Sequence, residues 1–214
     1  MKNHSIKELF TIVLATVILS LVVIFKVIDG ETNFINDFSI AFLSFIIIIS
    51  TSILAKKIVA YHYEADIKIK FWELYRFGFR KDSHLKKPTP MIWLPIILTL
   101  LSKGTIWWMS ILSFDVEAKP ERVSKKHGLY RFSEMTEWHI ALISLWGVIS
   151  CLILSVIGYL AGFEYFAQLS TYYAAWSLVP FSNLDGTKIF FGNRSIWFTI
   201  SLLTLFFLVA AFMI

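Results

Sequence analysis

Long apolar runs without a charged residue constrain the fold of this chain most strongly. Leu9–Phe25 and Phe38–Ala55 are two such runs, and His139–Phe163 and Ser195–Ile214 follow later in the chain. A helix needs about 20 residues of this kind to cross a bilayer. Only 16% of the 214 residues are charged, whereas soluble domains contain about a quarter. The pattern therefore predicts an integral membrane protein with one membrane domain.

The distribution of charge predicts an orientation. Residues 56–90, which follow Lys56-Lys57 at the end of the second run, contain nine Lys or Arg and four acids. The turn between the first two runs holds Asp29, Glu31 and Asp37 and no basic residue. Because basic loops stay in the cytoplasm, we expect a multi-pass protein of the cell membrane with a cytoplasmic N-terminus. Its basic loop suits anionic lipid headgroups rather than nucleic acid.

Two shorter features interrupt the helical pattern. Ile67–Phe71 alternates apolar and basic residues, which predicts a short β-strand in the cytoplasmic loop. Pro88 and Pro90 then mark a break before Met91–Phe114, an apolar stretch with Lys103-Gly104 at its midpoint. As a single span, it would place a lysine near the bilayer centre at a cost of ~2.5 kcal/mol or more. As a re-entrant hairpin, it would need other protein around its turn.

Two motifs late in the chain carry a family resemblance. Pro180–Gly186, with the sequence PFSNLDG, resembles the P-x-x-x-L-D-G motif of the site-2 protease family of intramembrane zinc metalloproteases. In that family the aspartate, here Asp185, is the third zinc ligand. Gly147–Cys151 resembles the small-residue motif G-x-x-x-N, with Cys151 in place of asparagine. The resemblance covers residues 38–192 as a protease-like core, between an N-terminal helix with its external turn (1–37) and a C-terminal transmembrane helix (193–214).

The family's first core helix carries H-E-x-x-H, in which two histidines bind zinc and the glutamate is the general base. Placing Ala60 on the alanine that follows this motif sets Ser52-Ile53-Leu54-Ala55-Lys56 over it. Ser52 and Lys56 then replace the ligands, and Ile53 replaces the base. The resemblance therefore implies the family's fold with no catalytic residue and no cofactor.

The aspartate of the motif needs a different partner if zinc is absent. We expect Lys56 to pair with Asp185, which would neutralise both charges within the bilayer. Neutralising Lys56 or capping its turn would be a structural role for Asp185, and a binding role is the alternative. If a metal is bound after all, His62, the histidine that lies nearest along the chain to Ser52–Lys56, would join Asp185 as a ligand. The cleft of such a fold would be lined by residues near the motifs, namely Cys151, Ser177, Pro180, Asn183 and Gly186.

The resemblance also decides between the two readings of Met91–Phe114. In the family, the zinc-binding end of the first core helix and the aspartate lie on the same, cytoplasmic, side. Only a re-entrant Met91–Phe114, with Tyr165–Pro180 as a further crossing, brings Asp185 to that side. The predicted fold is thus an all-α polytopic membrane protein with about five transmembrane helices, one re-entrant hairpin and a short β element.

Three functions fit these features. The first is a non-catalytic protein with the protease-like fold that binds transmembrane segments of clients or partners. The second is an active intramembrane metalloprotease that holds zinc with a variant ligand set. The third is an unrelated small subunit for membrane transport or assembly. The distance from Asp185 to Ser52 and Lys56 separates the third from the other two.

Overall fold

The structure, a computed structural model, describes residues 2–25, 34–76, 84–119 and 135–213. Most of the predicted external turn and most of the loop Asp115–Trp138 lie outside these ranges. Within them, the chain is mostly helical and forms the following elements: α1 (Lys2–Ile24), α2 (Phe34–His62), β1 (Ala65–Phe71), β2 (Glu73–Arg76), β3 (His84–Pro90), α3 (Leu94–Leu101), β4 (Leu112–Ala118), α4 (Glu137–Leu160), α5 (Glu164–Ser177), α6 (Asp185–Gly192) and α7 (Arg194–Met213).

Four of the described helices, α1, α2, α4 and α7, are long and apolar enough to cross a membrane. Each coincides with one of the predicted apolar runs, and this pattern is compatible with membrane localisation. The remaining predicted crossing, Tyr165–Pro180, is also helical, but α5 has only 14 residues. At 1.5 Å per residue, α5 is ~21 Å long, which is shorter than the hydrocarbon core of a typical bilayer.

Helix α2 is longer than the apolar run from which it was predicted. It continues through Lys56 and Lys57 and ends only at His62. Lysine is a good helix former, and the described structure provides each of these two ammonium groups with a carboxylate. Lys56 pairs with Asp185, and Lys57 lies 3.2 Å from Glu8 of α1. Lys56 and Lys57 therefore end the apolar run, but the helix continues past them to His62.

Two small antiparallel sheets follow α2. The predicted strand is confirmed as β1, and it pairs with β4 in a register that sets Ile69 opposite Phe114. Strands β2 and β3 form the second sheet, so Pro88 lies within a strand that ends at Pro90, and the predicted break before the next segment follows at Met91–Trp93. Prolines are tolerated here because both strands of a two-stranded sheet are edges.

The stretch Met91–Phe114 forms a hairpin and not a continuous helix. Helix α3 ends in a turn where Lys103 and Gly104 adopt positive φ, and extended residues then lead back to β4. Both ends are fastened to Trp72, whose N–H donates to Ile111 O (2.7 Å) and whose O accepts from Met91 N (3.0 Å). The chain therefore returns to the end of the bundle that it left, as expected for a re-entrant hairpin.

The helices pack around α4, which contacts α2, α5 and α6, while α1 lies on α2 and α7 on α5. Small polar residues allow α4 and α5 to approach closely. Ser170 donates a hydrogen bond to Cys151 O (2.7 Å), and the hydroxyls of Ser155 and Thr171 lie 2.7 Å apart. This core brings α2, α4 and α6 together, and the motif residues lie where they meet.

Candidate functional site

A buried ion pair joins two of the motif positions. The Lys56 ammonium on α2 donates to Oδ2 of Asp185 on α6 at 2.5 Å, across 129 residues of sequence. The two side chains are 9% and 6% exposed. The predicted pairing of Lys56 with Asp185 is therefore confirmed. Because both charges are removed from solvent, each depends on the other for compensation.

Helix α2 carries the three residues that the resemblance places over H-E-x-x-H. Ser52 and Lys56 lie one turn apart and are both buried, and Ser52 Oγ donates to Gly147 O on α4 at 3.3 Å. Ile53 is 8% exposed and belongs to the apolar core. The three positions that would carry ligands and base in the family are thus occupied by a hydroxyl bonded to backbone, an apolar side chain and an ammonium.

Gly147 makes room for the lysine of this pair. A methyl group at position 147 would overlap the Cε of Lys56 and crowd its Cγ and Cδ. The glycine therefore allows the aliphatic stem of Lys56 to cross α4 on its way to Asp185. In this chain, Gly147 of the small-residue motif therefore leaves space for the Lys56 side chain.

We expect Gly147→Ala to lower the free energy of unfolding by about 1–3 kcal/mol, because the lysine must move away from its carboxylate. The same substitution in a Lys56→Ala background should cost nothing, since the clash is gone and alanine favours a helix. Denaturant unfolding in mixed micelles measures both values. An equal cost in the two backgrounds would show that Gly147 has no connection with Lys56.

Helix α6 begins at Asp185, so the carboxylate lies at the helix N-terminus, where the helix dipole stabilises negative charge. The next residue, Gly186, is buried against α5. A Cβ there would overlap the backbone carbonyls of Leu178 and Val179. The Asp-Gly pair therefore combines a charge at the start of a helix with a close backbone contact that only glycine permits.

A second ammonium adjoins the pair. Lys188 Nζ donates to Phe114 O at 2.5 Å and lies 3.5 Å from the centroid of the Phe114 ring. Lys56 Nζ lies 5.0 Å from the same ring. Asp185 Oδ1 is buried and has no hydrogen-bond partner among the described residues. The site thus holds two lysine amines, one carboxylate and an aromatic ring that lies near both amines.

Burial lowers the pKa of Lys188 from its ordinary value of 10.5 to about 7, although the Asp185 carboxylate acts in the opposite direction. Between these two values the unfolded chain binds the proton more tightly than the folded protein, so stability rises with pH. The charged groups that act on Lys188 in the structure are Asp185, Lys56, Asp115 and Lys70.

We therefore expect the free energy of unfolding of the wild-type protein to increase between pH 7 and pH 9 more steeply than that of Lys188→Met. The exposed Lys87 of β3 supplies the control, and Lys87→Met should keep the wild-type slope. Unfolding in detergent at a series of pH values gives the three slopes. Identical slopes for wild type and Lys188→Met would contradict the proposed effect of burial.

The proposed metal pairing of Asp185 with His62 finds no support in this geometry. His62 is exposed at the end of α2, and its ring lies 5.5 Å from that of Tyr63. It lies six residues beyond Lys56, or ~9 Å along the helix. In the described ranges, no three His, Cys, Asp or Glu residues are placed to hold a metal ion. The one motif carboxylate is engaged by Lys56.

The five residues predicted to line a cleft differ in their exposure. Cys151, Ser177 and Gly186 are buried, Pro180 is exposed, and Asn183 is half-buried with its backbone O accepting from Ser113 Oγ (2.7 Å). One cavity of about 420 Å³ lies between α4, α5 and α7, and another of about 450 Å³ lies beside the hairpin turn. None of the five residues lines either cavity.

Sequence reasoning missed Lys188 and Phe114. A signal for Lys188 was present, because it follows Asp185 by three residues and so shares its side of a helix. A signal for Phe114 was also present, because residues 113–118 alternate polar and apolar side chains as a strand does. Their contact with each other depends on the pairing of β4 with β1.

No known protein family, no characterised protein and no solved structure matches this chain. The resemblance of its motifs to those of the site-2 protease family therefore rests on their order in the sequence and on the contacts described above.

Proposed function

We propose that this chain is an integral membrane protein with the architecture of the site-2 protease family, in which a lysine ammonium has replaced the zinc ion. It binds transmembrane segments of client or partner proteins and does not cleave them. The observation that carries the proposal is the buried Lys56–Asp185 pair, 2.5 Å between Nζ and Oδ2. The cation that contacts Asp185 is the Lys56 ammonium, which is part of the protein itself.

The positions related by the resemblance meet in space, which supports the proposal. Ser52 and Lys56 face Gly147 of the small-residue motif, and Lys56 reaches the aspartate of the L-D-G motif. In an unrelated transport or assembly subunit, nothing would require these motifs to be in contact.

The chemistry of these side chains argues against catalysis. A catalytic zinc takes three protein ligands and keeps one position for water. The protonated amine of Lys56 offers no lone pair to a metal and repels a divalent cation. Ile53 has no group that accepts a proton from water. The alternative, an active metalloprotease with a variant ligand set, would need zinc ligands other than Ser52, Lys56 and Ile53.

The proposal includes a topology of about five transmembrane helices, with α5 as a short fifth crossing. The N-terminus, the sheets and the motif end of the bundle are cytoplasmic, and Met91–Phe114 is re-entrant. A cysteine at Lys125, in the loop outside the described residues, tests this arrangement. We expect a membrane-impermeant thiol reagent to label Lys125→Cys in inside-out vesicles only. Labelling from the outside of intact cells would contradict the topology.

Metal content and peptide association test the function. We expect the purified protein to contain far less than one zinc per chain, and to leave reconstituted transmembrane peptides intact when zinc is supplied. A dye-labelled peptide should nevertheless associate with the protein in proteoliposomes, as measured by energy transfer. Stoichiometric zinc with chelator-sensitive cleavage would establish the metalloprotease instead. Absence of both cleavage and peptide association would leave the third function.

A further inference from the structure

The turn of the hairpin lies far from the end of the helix bundle that holds the Lys56–Asp185 pair. Thr105 and Trp107, just after the turn, line the cavity of about 450 Å³ together with Leu208 and Phe212 of α7. These two α7 residues come 14 and 18 positions after Arg194, or ~21–27 Å along the helix. In the proposed topology, the turn therefore approaches the external surface of the membrane.

This turn carries an exposed cation. Lys103 is exposed, has a positive φ of 51°, and lies two residues before Thr105. No carboxylate pairs with it in the part of the chain that the structure describes. A lysine at this depth extends its ammonium towards the headgroups, since its aliphatic stem tolerates apolar surroundings. The charge of Lys103 therefore calls for an anion from outside the chain.

The neighbouring cavity is apolar and aromatic. Trp107, Tyr172, Trp176 and Phe212 contribute four aromatic side chains to it, and the centroids of the Trp107 and Tyr172 rings lie 5.8 Å apart. An α-helix is about 10 Å across, so the cavity would hold only about one turn of a helix. A flexible hydrocarbon chain fits it better. Size thus favours a lipid over a client helix as the occupant.

We propose that this site binds one anionic phospholipid, with the phosphate on Lys103 and one acyl chain in the cavity between the hairpin and α5 and α7. The lipid fills the space that the short α5 leaves beside the hairpin turn and stabilises the turn in the membrane. The inference rests on the proposed topology and is independent of the loss of zinc.

Lipid retention tests the site. The purified protein is delipidated in detergent and exposed to an equimolar mixture of phosphatidylglycerol and phosphatidylcholine, and bound lipids are counted by native mass spectrometry. One phosphatidylglycerol should be retained with roughly fivefold preference, as expected for one lysine near an anionic headgroup. Lys103→Gln should lose the preference. Lys87→Gln, which removes the same charge from β3, should keep it.

A cavity-filling variant tests the acyl chain. Ala175 lines the cavity, and Ala175→Phe should abolish lipid retention and reduce the quenching of tryptophan fluorescence by phosphatidylglycerol with brominated chains. If Ala175→Phe does not fold, Ala175→Leu provides the smaller step and should reduce both signals. Unchanged retention in Lys103→Gln or in the folded Ala175 variant would overturn the proposal. Equal retention of both phospholipids would overturn it too.

Failure of the lipid-binding proposal can be distinguished from failure of the proposed function. Zinc content and peptide cleavage concern the Lys56–Asp185 site, whereas the lipid variants change residues of the hairpin and α5. A protein that binds no lipid and lacks zinc would therefore refute the lipid site alone.

Discussion

Lys56→Met is expected to lower the free energy of unfolding by about 3–5 kcal/mol, because it leaves the Asp185 carboxylate buried without a partner. Asp185→Asn should have a similar effect by leaving the ammonium unpaired. The two side chains are 9% and 6% exposed, so water compensates neither charge. Unfolding of the purified variants in mixed micelles measures both losses.

The double variant Lys56→Met/Asp185→Asn should be more stable than the sum of the two losses predicts, by more than about 1 kcal/mol. With both charges gone, neither position 56 nor position 185 holds a buried charge that has lost its partner. The exposed pair Lys68–Glu117, joined at 2.6 Å, is the matched control. Its cycle should give about 0–1 kcal/mol. Additive losses at Lys56 and Asp185 would show that the ion pair contributes nothing to stability.

The second large effect is the creation of a metal site. The triple variant Ser52→His/Ile53→Glu/Lys56→His introduces H-E-x-x-H on α2 at the positions next to Asp185. We expect it to bind about one zinc per chain, with the aspartate as third ligand, which completes the set that a catalytic zinc requires. Zinc at 100 times its dissociation constant should stabilise the variant by about 2.7 kcal/mol.

A matched control separates this site from an incidental pair of histidines. Leu54 and Ile58 have the same spacing on α2, but they are 58% and 68% exposed and point away from the motif aspartate. Leu54→His/Ile58→His should bind zinc weakly, and its binding should not depend on residue 185. Adding Asp185→Asn to the triple variant should abolish stoichiometric zinc. Equal zinc binding in the triple variant and the control would refute the alignment of Ser52–Lys56 with the family's motif.

The helices were predictable because their signal is local. Uncharged runs such as Phe38–Ala55 contain the pattern within one segment, and so does the alternation of Ile67–Phe71 that became β1. The ends of the helices were less predictable from the sequence. Whether α2 stops at Lys56 depends on a carboxylate 129 residues away. Pairing Lys56 with Asp185 required the resemblance, since no local rule joins two such distant residues.

The surroundings of the pair depend on tertiary contacts that sequence patterns do not report. Phe114 reaches Lys188 only because β4 pairs with β1, and that register is a long-range choice. The start of α6 at Asp185 was also missed, because Asp-Gly is typical of turns. An acid at the first residue of a helix is equally favourable, and the packing of Gly186 on α5 decides between the two.

Trp72 gives the hairpin and the ion-pair site a common wall. Its backbone closes the mouth of the hairpin, and its ring lies 5.7 Å from those of Trp108 in the hairpin and Phe181 before the motif aspartate. Because Trp72 contacts residues on both sides, Trp72→Ala should loosen the packing of the hairpin and of the segment that leads to Asp185 together.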